Sequence, residues 1–190
     1  MSLIWTSTKI RLIRARRVIE QGGIIAYPTE SVYGLGCDPF NAEAVTRLRA
    51  LKRRSKTKGL ILIAASLDQV MPLIEHPTRV SWSTILNGWP GPVTWVFNAS
   101  PAAPPWLLAD DSSIAVRVTA HPVAAALCRI AGTALVSTSA NSRNRPPARN
   151  ALAVRCTLGR VTNDIVNGAT SNLPRPTIIM DARTGACLRT

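Results

Sequence analysis

Apolar residues recur at helical spacing between residues 8 and 21. Leu12, Ala15, Val18 and Ile19 share one face, while Lys9, Arg14, Arg16 and Arg17 fall mainly on the other, which predicts an amphipathic helix. Gly22 and Gly23 end it, and the apolar run 24–27 reads as a buried strand. Asn41 is placed to cap a second helix, whose apolar stripe is Ala44, Val45, Leu48 and Leu51. A strand over 60–65 follows, then helices around 67–75 and 79–87. Strands are predicted at 93–97 and 113–118. Pro122 suits the first position of a further helix, and Gly132 the position just past its end. A strand at 134–137, a helix near 150–158 and strands at 177–181 and 186–189 complete the order. This alternation predicts one α/β domain over 1–190 with a central, at least partly parallel sheet.

Composition narrows the class of partner. The chain has 190 residues, 46% of them hydrophobic, enough for a core and against intrinsic disorder. Lys and Arg number 23 against 10 Asp and Glu, a formal net charge of +13 that favours polyanions such as nucleotides or nucleic acid. Nineteen of those cations are Arg, which suits forked contact with phosphate; a compositional habit of the source explains the bias equally well. Cys37, Cys128, Cys156 and Cys187 are dispersed, read as core or strand residues, and suggest neither a disulfide framework nor, with only His76 and His121, a zinc site. The longest apolar run, 60–65, is too short to span a bilayer, so the reading is a soluble cytoplasmic protein with no membrane partner. His121 before Pro122 reads as a helix-start residue, His76 as loop, and Trp82, Trp89, Trp95 and Trp106 as packing.

No phosphate-binding G-x-x-x-x-G-K-[ST] loop, G-x-G-x-x-G fingerprint or G-x-S-x-G elbow is present. Three other segments carry chemistry. The run Tyr27-Pro28-Thr29-Glu30-Ser31-Val32-Tyr33-Gly34-Leu35-Gly36-Cys37-Asp38 leaves a strand for a hydroxyl-rich, Gly-bounded turn. Gly34 and Gly36 there admit close backbone approach to a ligand. A tight turn with capping hydroxyls satisfies the same pattern. Lys52-Arg53-Arg54-Ser55-Lys56-Thr57-Lys58 sets five cations at a helix-to-strand junction; a solvated charge run is the other reading. Val136-Ser137-Thr138-Ser139-Ala140-Asn141, followed by Arg143, Arg145 and Arg149, ends a strand in hydroxyls and an amide, groups that can also cap a helix.

Taken in order, the segments resemble the TsaC/YrdC family of threonylcarbamoyl-AMP synthases. Its P-T-[DE]-[TS]-x-[YF]-G-[LV]-G stretch is matched by Pro28 to Gly36, its K-x-R by Lys52 and Arg54, and its S-x-N by Ser139 and Asn141. Trp89 to Thr94 matches its W-P-G-P-[VL]-T turn, and Ala115-Val116-Arg117 its A-V-R strand. The resemblance implies an open, twisted, mixed sheet flanked by helices, with a concave electropositive face. It implies that L-threonine, bicarbonate and ATP give L-threonylcarbamoyladenylate, pyrophosphate and water. The product would supply a separate transferase complex of the TsaD, TsaB and TsaE type, acting on the tRNA adenosine next to the anticodon.

By motif match, Lys52 and Arg54 would be catalytic and, with Lys58, hold the nucleotide phosphates. Ser113, Asn141, Arg149 and Arg189 would also serve ATP. Ser31, Arg117, Ser139 and Thr177 would hold threonine, Arg117 by a fork on its carboxylate. Mg²⁺ is expected on the triphosphate, held by phosphate and water and not by protein ligands. Ser55 replaces a frequent Pro, Ile63 stands where longer members carry a His near threonine, and 141–146 lacks a usual Gly. Ending at Thr190, the chain matches the short form of the family. The alternative from another class is a tRNA- or double-stranded-RNA-binding or ribosome-maturation protein. It rests on the charge and on exposed Arg14, Arg16 and Arg17.

Overall fold

The computed structural model describes residues 2–55, 57–142 and 144–190, and side chains from Lys9 onward. Among the described residues nine strands form one mixed sheet, and five α-helices pack on its two faces. The helices are α1 (Ser2–Glu20), α2 (Ala42–Lys52), α3 (Trp82–Asn87), α4 (Pro122–Ala131) and α5 (Ala151–Leu158). The strands are β1 (Ile25–Pro28), β2 (Tyr33–Gly36), β3 (Ile61–Ala64), β4 (Val93–Asn98), β5 (Ser113–Val118), β6 (Leu135–Ser139), β7 (Asp164–Ile165), β8 (Ile178–Asp181) and β9 (Cys187–Arg189). Their order is β7-β1-β2-β6-β3-β5-β4-β8-β9. Only β1/β7, β3/β5 and β4/β8 run parallel; the other neighbours are antiparallel.

Each helix start has a local cause. Asn41, Ser81, His121 and Asn150 cap α2, α3, α4 and α5 with side-chain acceptors. Pro122 occupies the first turn of α4, and Gly132 leaves it in the left-handed region at φ 73°. The first helix begins at Ser2, before the start expected at residue 8. The helix expected over 67–75 is replaced by two 3₁₀ turns, Leu67–Gln69 and Met71–Leu73. Pro72 has no N–H for an α ladder, and the Gln69 amide is drawn away to the Ala65 N–H and the Cys128 carbonyl. Cys156 lies exposed on α5, neither core nor strand, and Cys187 is exposed on β9.

Strand alternation sends residues to two apolar layers. On one face Leu35, Leu62, Val116 and Val136 pack with Ala44, Val45 and Leu48 of α2, Ile85 of α3, and Val154 and Leu158 of α5. On the other, Ile25, Tyr27, Ile63 and Leu135 pack with Ala15 and Ile19 of α1 and Ala124, Leu127 and Cys128 of α4. Ile63 therefore belongs to this helical layer. Its register partner Arg117 shares that face, as do Ile61 and its partner Ser137. Beyond α1 and α4 this face carries polar side chains, and the candidate site lies there.

Strand β2 was expected as a turn. Tyr33 and Leu35 are fully buried and alternate with Gly34 and Gly36. A Cβ at Gly36 would meet the Val136 carbonyl oxygen and come within 2.8 Å of the Tyr27 ring. Gly36→Ala is expected to cost about 1–3 kcal/mol, through backbone displacement of β2 from β6; urea unfolding of the variant against the parent chain measures it.

Candidate functional site

A cavity of about 240 Å³ opens on that polar face. Its lining comes from Thr29 and Ser31 to Gly34 between β1 and β2, Arg54 after α2, Leu60 and Ile61 at the start of β3, Arg117 on β5, Ser137 to Ser139 on β6, Pro147 beyond it, Pro176 and Thr177 before β8, and Arg189 on β9. Three guanidinium groups and no carboxylate line it among the described residues. Arg54 also borders an adjoining hollow of about 260 Å³ formed with Lys52, Arg53, Ser55 and Lys58.

The turn after α2 splits its two motif cations. Arg53 closes the helix at φ 44°, ψ 41°, in the left-handed region. Lys52 then reaches back to β6, where its Nζ donates to the Ser139 carbonyl at 2.7 Å, to the Asn141 carbonyl at 2.6 Å and to Asn141 Oδ1. All three ammonium protons are thus engaged. Arg54 turns to the cavity, its Nη2 donating to the Gly59 carbonyl at 2.5 Å. Below them Arg49, only 8% exposed, binds the carbonyls of Ser55, Lys58 and Trp106 and fixes the loop. The sequence reading gave Arg49 no role; its place within the apolar stripe of α2 was the available signal.

The S-x-N segment is tied to the same network. Ser139 Oγ donates to Asn141 Oδ1 at 2.7 Å, and Asn141 Nδ2 donates to the Arg145 carbonyl at 2.6 Å. Asn141 meets the site through Lys52 and Ser139 and does not line the cavity. Arg117 is 5% exposed. Its Nη1 donates to Thr177 Oγ1 at 2.8 Å, and its Nη2 lies 3.4 Å from Glu30 Oε2. Arg189 holds the Thr177 carbonyl through Nε at 3.1 Å and Nη2 at 2.7 Å.

The structure thus brings Ser31, Arg54, Arg117, Ser139, Thr177 and Arg189 to one cavity, with Lys52 and Asn141 bracing its wall. Lys58 is exposed on the second hollow. Two expected residues stand apart from both hollows. Ser113 is buried at the start of β5, its N–H donating to Asp111 Oδ1 at 3.2 Å. Arg149 is exposed, and its Nη2 donates to the Pro174 carbonyl at 3.2 Å. Ile63 points into the α1–α4 layer and does not line the cavity. Lys56 and Arg143 lie outside the described residues. Thr29, whose hydroxyl was read with that of Ser31 as able to orient a ligand, lines the cavity, and Val32, Leu60, Ile61, Pro147 and Pro176 line it without having been expected there.

Burial sets the electrostatics. The Lys52 ammonium is brought down from about 10.5 to about 8, first by desolvation and then by the nearby Arg54 charge. Desolvation also lowers Arg54, with Arg49 adding to it, and lowers Arg189, with Arg117 and Arg54 adding. Each cation also makes its neighbours easier to deprotonate, because like charges are held close together there.

The Sua5/YciO/YrdC family model, described as telomere recombination, matches residues 17–190. The chain belongs to that family. A threonylcarbamoyl-AMP synthase of Halorhodospira halophila is 52% identical over 180 residues, covering 94% of each chain. One of Methylococcus capsulatus is 49% identical over 179 residues, 94% of this chain and 96% of that one. P. abyssi Sua5, in a crystal structure complexed with L-threonine, superposes with a TM-score of 0.82 at 27% identity over 90% of this chain; the chain spans 50% of that protein. E. coli YciO shares the fold, with a TM-score of 0.84 at 23% identity over 96% of this chain and 89% of that one. No helix of the described residues is long and apolar enough to cross a membrane.

Arg53 is a non-glycine residue at positive φ in the motif turn shared by these segments. Arg53→Gly is expected to stabilise the fold by about 0.5–1 kcal/mol, because glycine enters this region without Cβ strain. Thermal and urea unfolding of the variant check it; a loss of stability would show that the Arg53 side chain, not its backbone, matters there.

Proposed function

We propose that this chain is a threonylcarbamoyl-AMP synthase. The observation that carries the reading is the convergence of Arg54, Arg117 and Arg189 with Ser31, Ser139 and Thr177 on one cavity free of lining carboxylates. The 52% identity to a synthase over 94% of both chains supports it. Threonine's amine takes up bicarbonate carbon with loss of water, giving a carbamate. A carbamate oxygen then attacks the α-phosphorus of ATP, and the bond to pyrophosphate breaks. Both reactants are anions, so the protein's work is to offset charge and fix the line of attack.

In this reading Arg117, Ser31, Ser139 and Thr177 take the threonine side, and Arg54 and Arg189 the nucleotide. Lys58 supplies a phosphate contact from the second hollow. Lys52 acts on phosphate as a nearby charge and, through its bonds to the Ser139 and Asn141 carbonyls, as the brace of the S-x-N turn. Asn141 reaches ATP from that turn. Ser113 and Arg149 would join only after movement toward the nucleotide. Mg²⁺ would arrive on ATP, held by phosphate and water; the Glu30 carboxylate, beside the cavity lining, is paired with Arg117. The setting is the cytoplasm, where ATP and tRNA are found. The product would pass to a separate transferase complex. The +13 charge and exposed Arg14, Arg16 and Arg17 on α1 favour approach to tRNA.

Pyrophosphate release should require ATP, Mg²⁺, threonine and bicarbonate together. Arg54→Ala should reduce it by about 10²–10³-fold, the scale for losing one preorganised charge contact. Release without threonine, or an unaffected variant, would overturn the assignment.

ATP affinity should depend on the charge of Lys52. An unfolded lysine keeps its proton to about 10.4, whereas the folded one yields it near 8. Between these values the unfolded state binds more protons. Rising pH therefore relieves the folding cost of the buried charge while removing that charge from the phosphates. Calorimetric ATP affinity should fall by up to ~10-fold per pH unit above 8, and the fall should be absent in Lys52→Arg, whose guanidinium stays charged.

A further inference from the structure

Glu30 lies between Thr29 and Ser31, which both line the cavity, yet does not line it itself. It is 2% exposed. Its Oε1 accepts the Thr119 hydroxyl at 2.5 Å, and Thr119 Oγ1 in turn accepts the His121 N–H at 3.1 Å, at the start of α4. The Glu30 carbonyl accepts the Leu173 N–H at 3.1 Å. Its Oε2 faces Arg117 Nη2 at 3.4 Å, and neither Glu30 Oε2 nor Arg117 Nε has a hydrogen-bond partner. Among the described residues no other carboxylate pairs with Arg117, and none pairs with Arg54 or Arg189.

A buried guanidinium needs a counter-charge and fixed acceptors to hold one orientation. Thr177 receives Nη1 from the cavity side, and Glu30 takes Nη2 from behind. Glu30 is itself held by Thr119 and by its own backbone, so the carboxylate is a fixed point against which Arg117 is set. The contact is an ion pair without full hydrogen-bond geometry, so Arg117 keeps N–H groups for a second anion. We propose that Glu30 is the positioning residue for Arg117: it offsets the buried charge and aims the guanidinium at the carboxylate of the amino-acid substrate. The assignment rests on the reading above that this cavity holds threonine.

The test is the split between two Michaelis constants. Glu30→Gln keeps the shape and removes the charge. It should raise KM for threonine at least tenfold while KM for ATP stays within twofold. Glu30→Asp, which keeps the charge, should recover most of the loss. Thr119→Val, which frees the carboxylate without removing it, should shift threonine KM about threefold in the same direction. It decides the matter if Glu30→Gln fails to fold. An unmoved threonine KM in the folded variants, or equal changes for both substrates, would overturn the proposal. A parent chain that releases no pyrophosphate would defeat the functional reading instead. In that case a crystal structure of Glu30→Gln still decides the positioning role, since Arg117 should leave Thr177, and an unmoved Arg117 would overturn it.

Discussion

Arg54, Arg117 and Arg189 carry like charge around one cavity, and the whole site depends on how their repulsion is contained. In a partly desolvated hollow such a cluster is held only if each member is anchored. The anchors differ in kind. Arg54 and Arg189 are fastened to carbonyl oxygens, at Gly59 and Thr177, which fix position without offsetting charge. Arg117, the most buried of the three, is the one given a carboxylate. Carbonyl dipoles suffice near solvent. Deeper in the sheet, a full counter-charge is needed. The remainder leaves the cavity with positive charge that no lining carboxylate among the described residues offsets.

The sheet explains why these anchors are available. Arg117 sits on β5 opposite Ile63, at the edge of the layer covered by α1 and α4. One step away along the strands, no helix covers the face, and the alternation that buries Ile63 presents Arg117 and Ser137 to the cavity. The same strand pairings that make the core therefore set the spacing of the polar groups. The five antiparallel pairs matter here. They bring the ends of β2 and β6 together, so the loop before β2 and the turn after β6 meet across Gly34 and Ser139.

Much of this was legible in the residues, and the failures share a cause. The cap at Asn41 and the ends of α4 at Pro122 and Gly132 depend on neighbours within a turn, so the sequence pattern found them. The strand β2 was missed because two glycines resemble a turn; they are small so that the Tyr27 ring and the Val136 carbonyl can approach from neighbouring strands. The residues 67–75 were read as a helix from their apolar spacing, yet Pro72, which has no N–H to give, and the long-range bond of the Gln69 side chain to the Cys128 carbonyl decide otherwise. At the site, motif order pointed to Arg54, Ser139 and Arg117 but not to Arg49 or Glu30. Each has a partner far along the chain, Trp106 for Arg49 and Thr119 for Glu30, and the local pattern offered only the place of Arg49 within the apolar stripe of α2.

The K-x-R motif shows how far a short pattern reaches once its backbone is known. Two cations separated by one residue on a continuing helix would be turned about 200° from one another by the helix itself. Here the helix ends between them. With Arg53 left-handed, Lys52 stays on the last turn and bonds back to β6, while Arg54 leaves the helix and enters the cavity. The pair is therefore not a two-pronged phosphate clamp in the free protein. Lys52 holds the wall, through the same Asn141 that takes the Ser139 hydroxyl, and Arg54 is the member of the pair that lines the cavity. The motif's spacing records a helix terminus, and its chemistry follows from where the chain goes next.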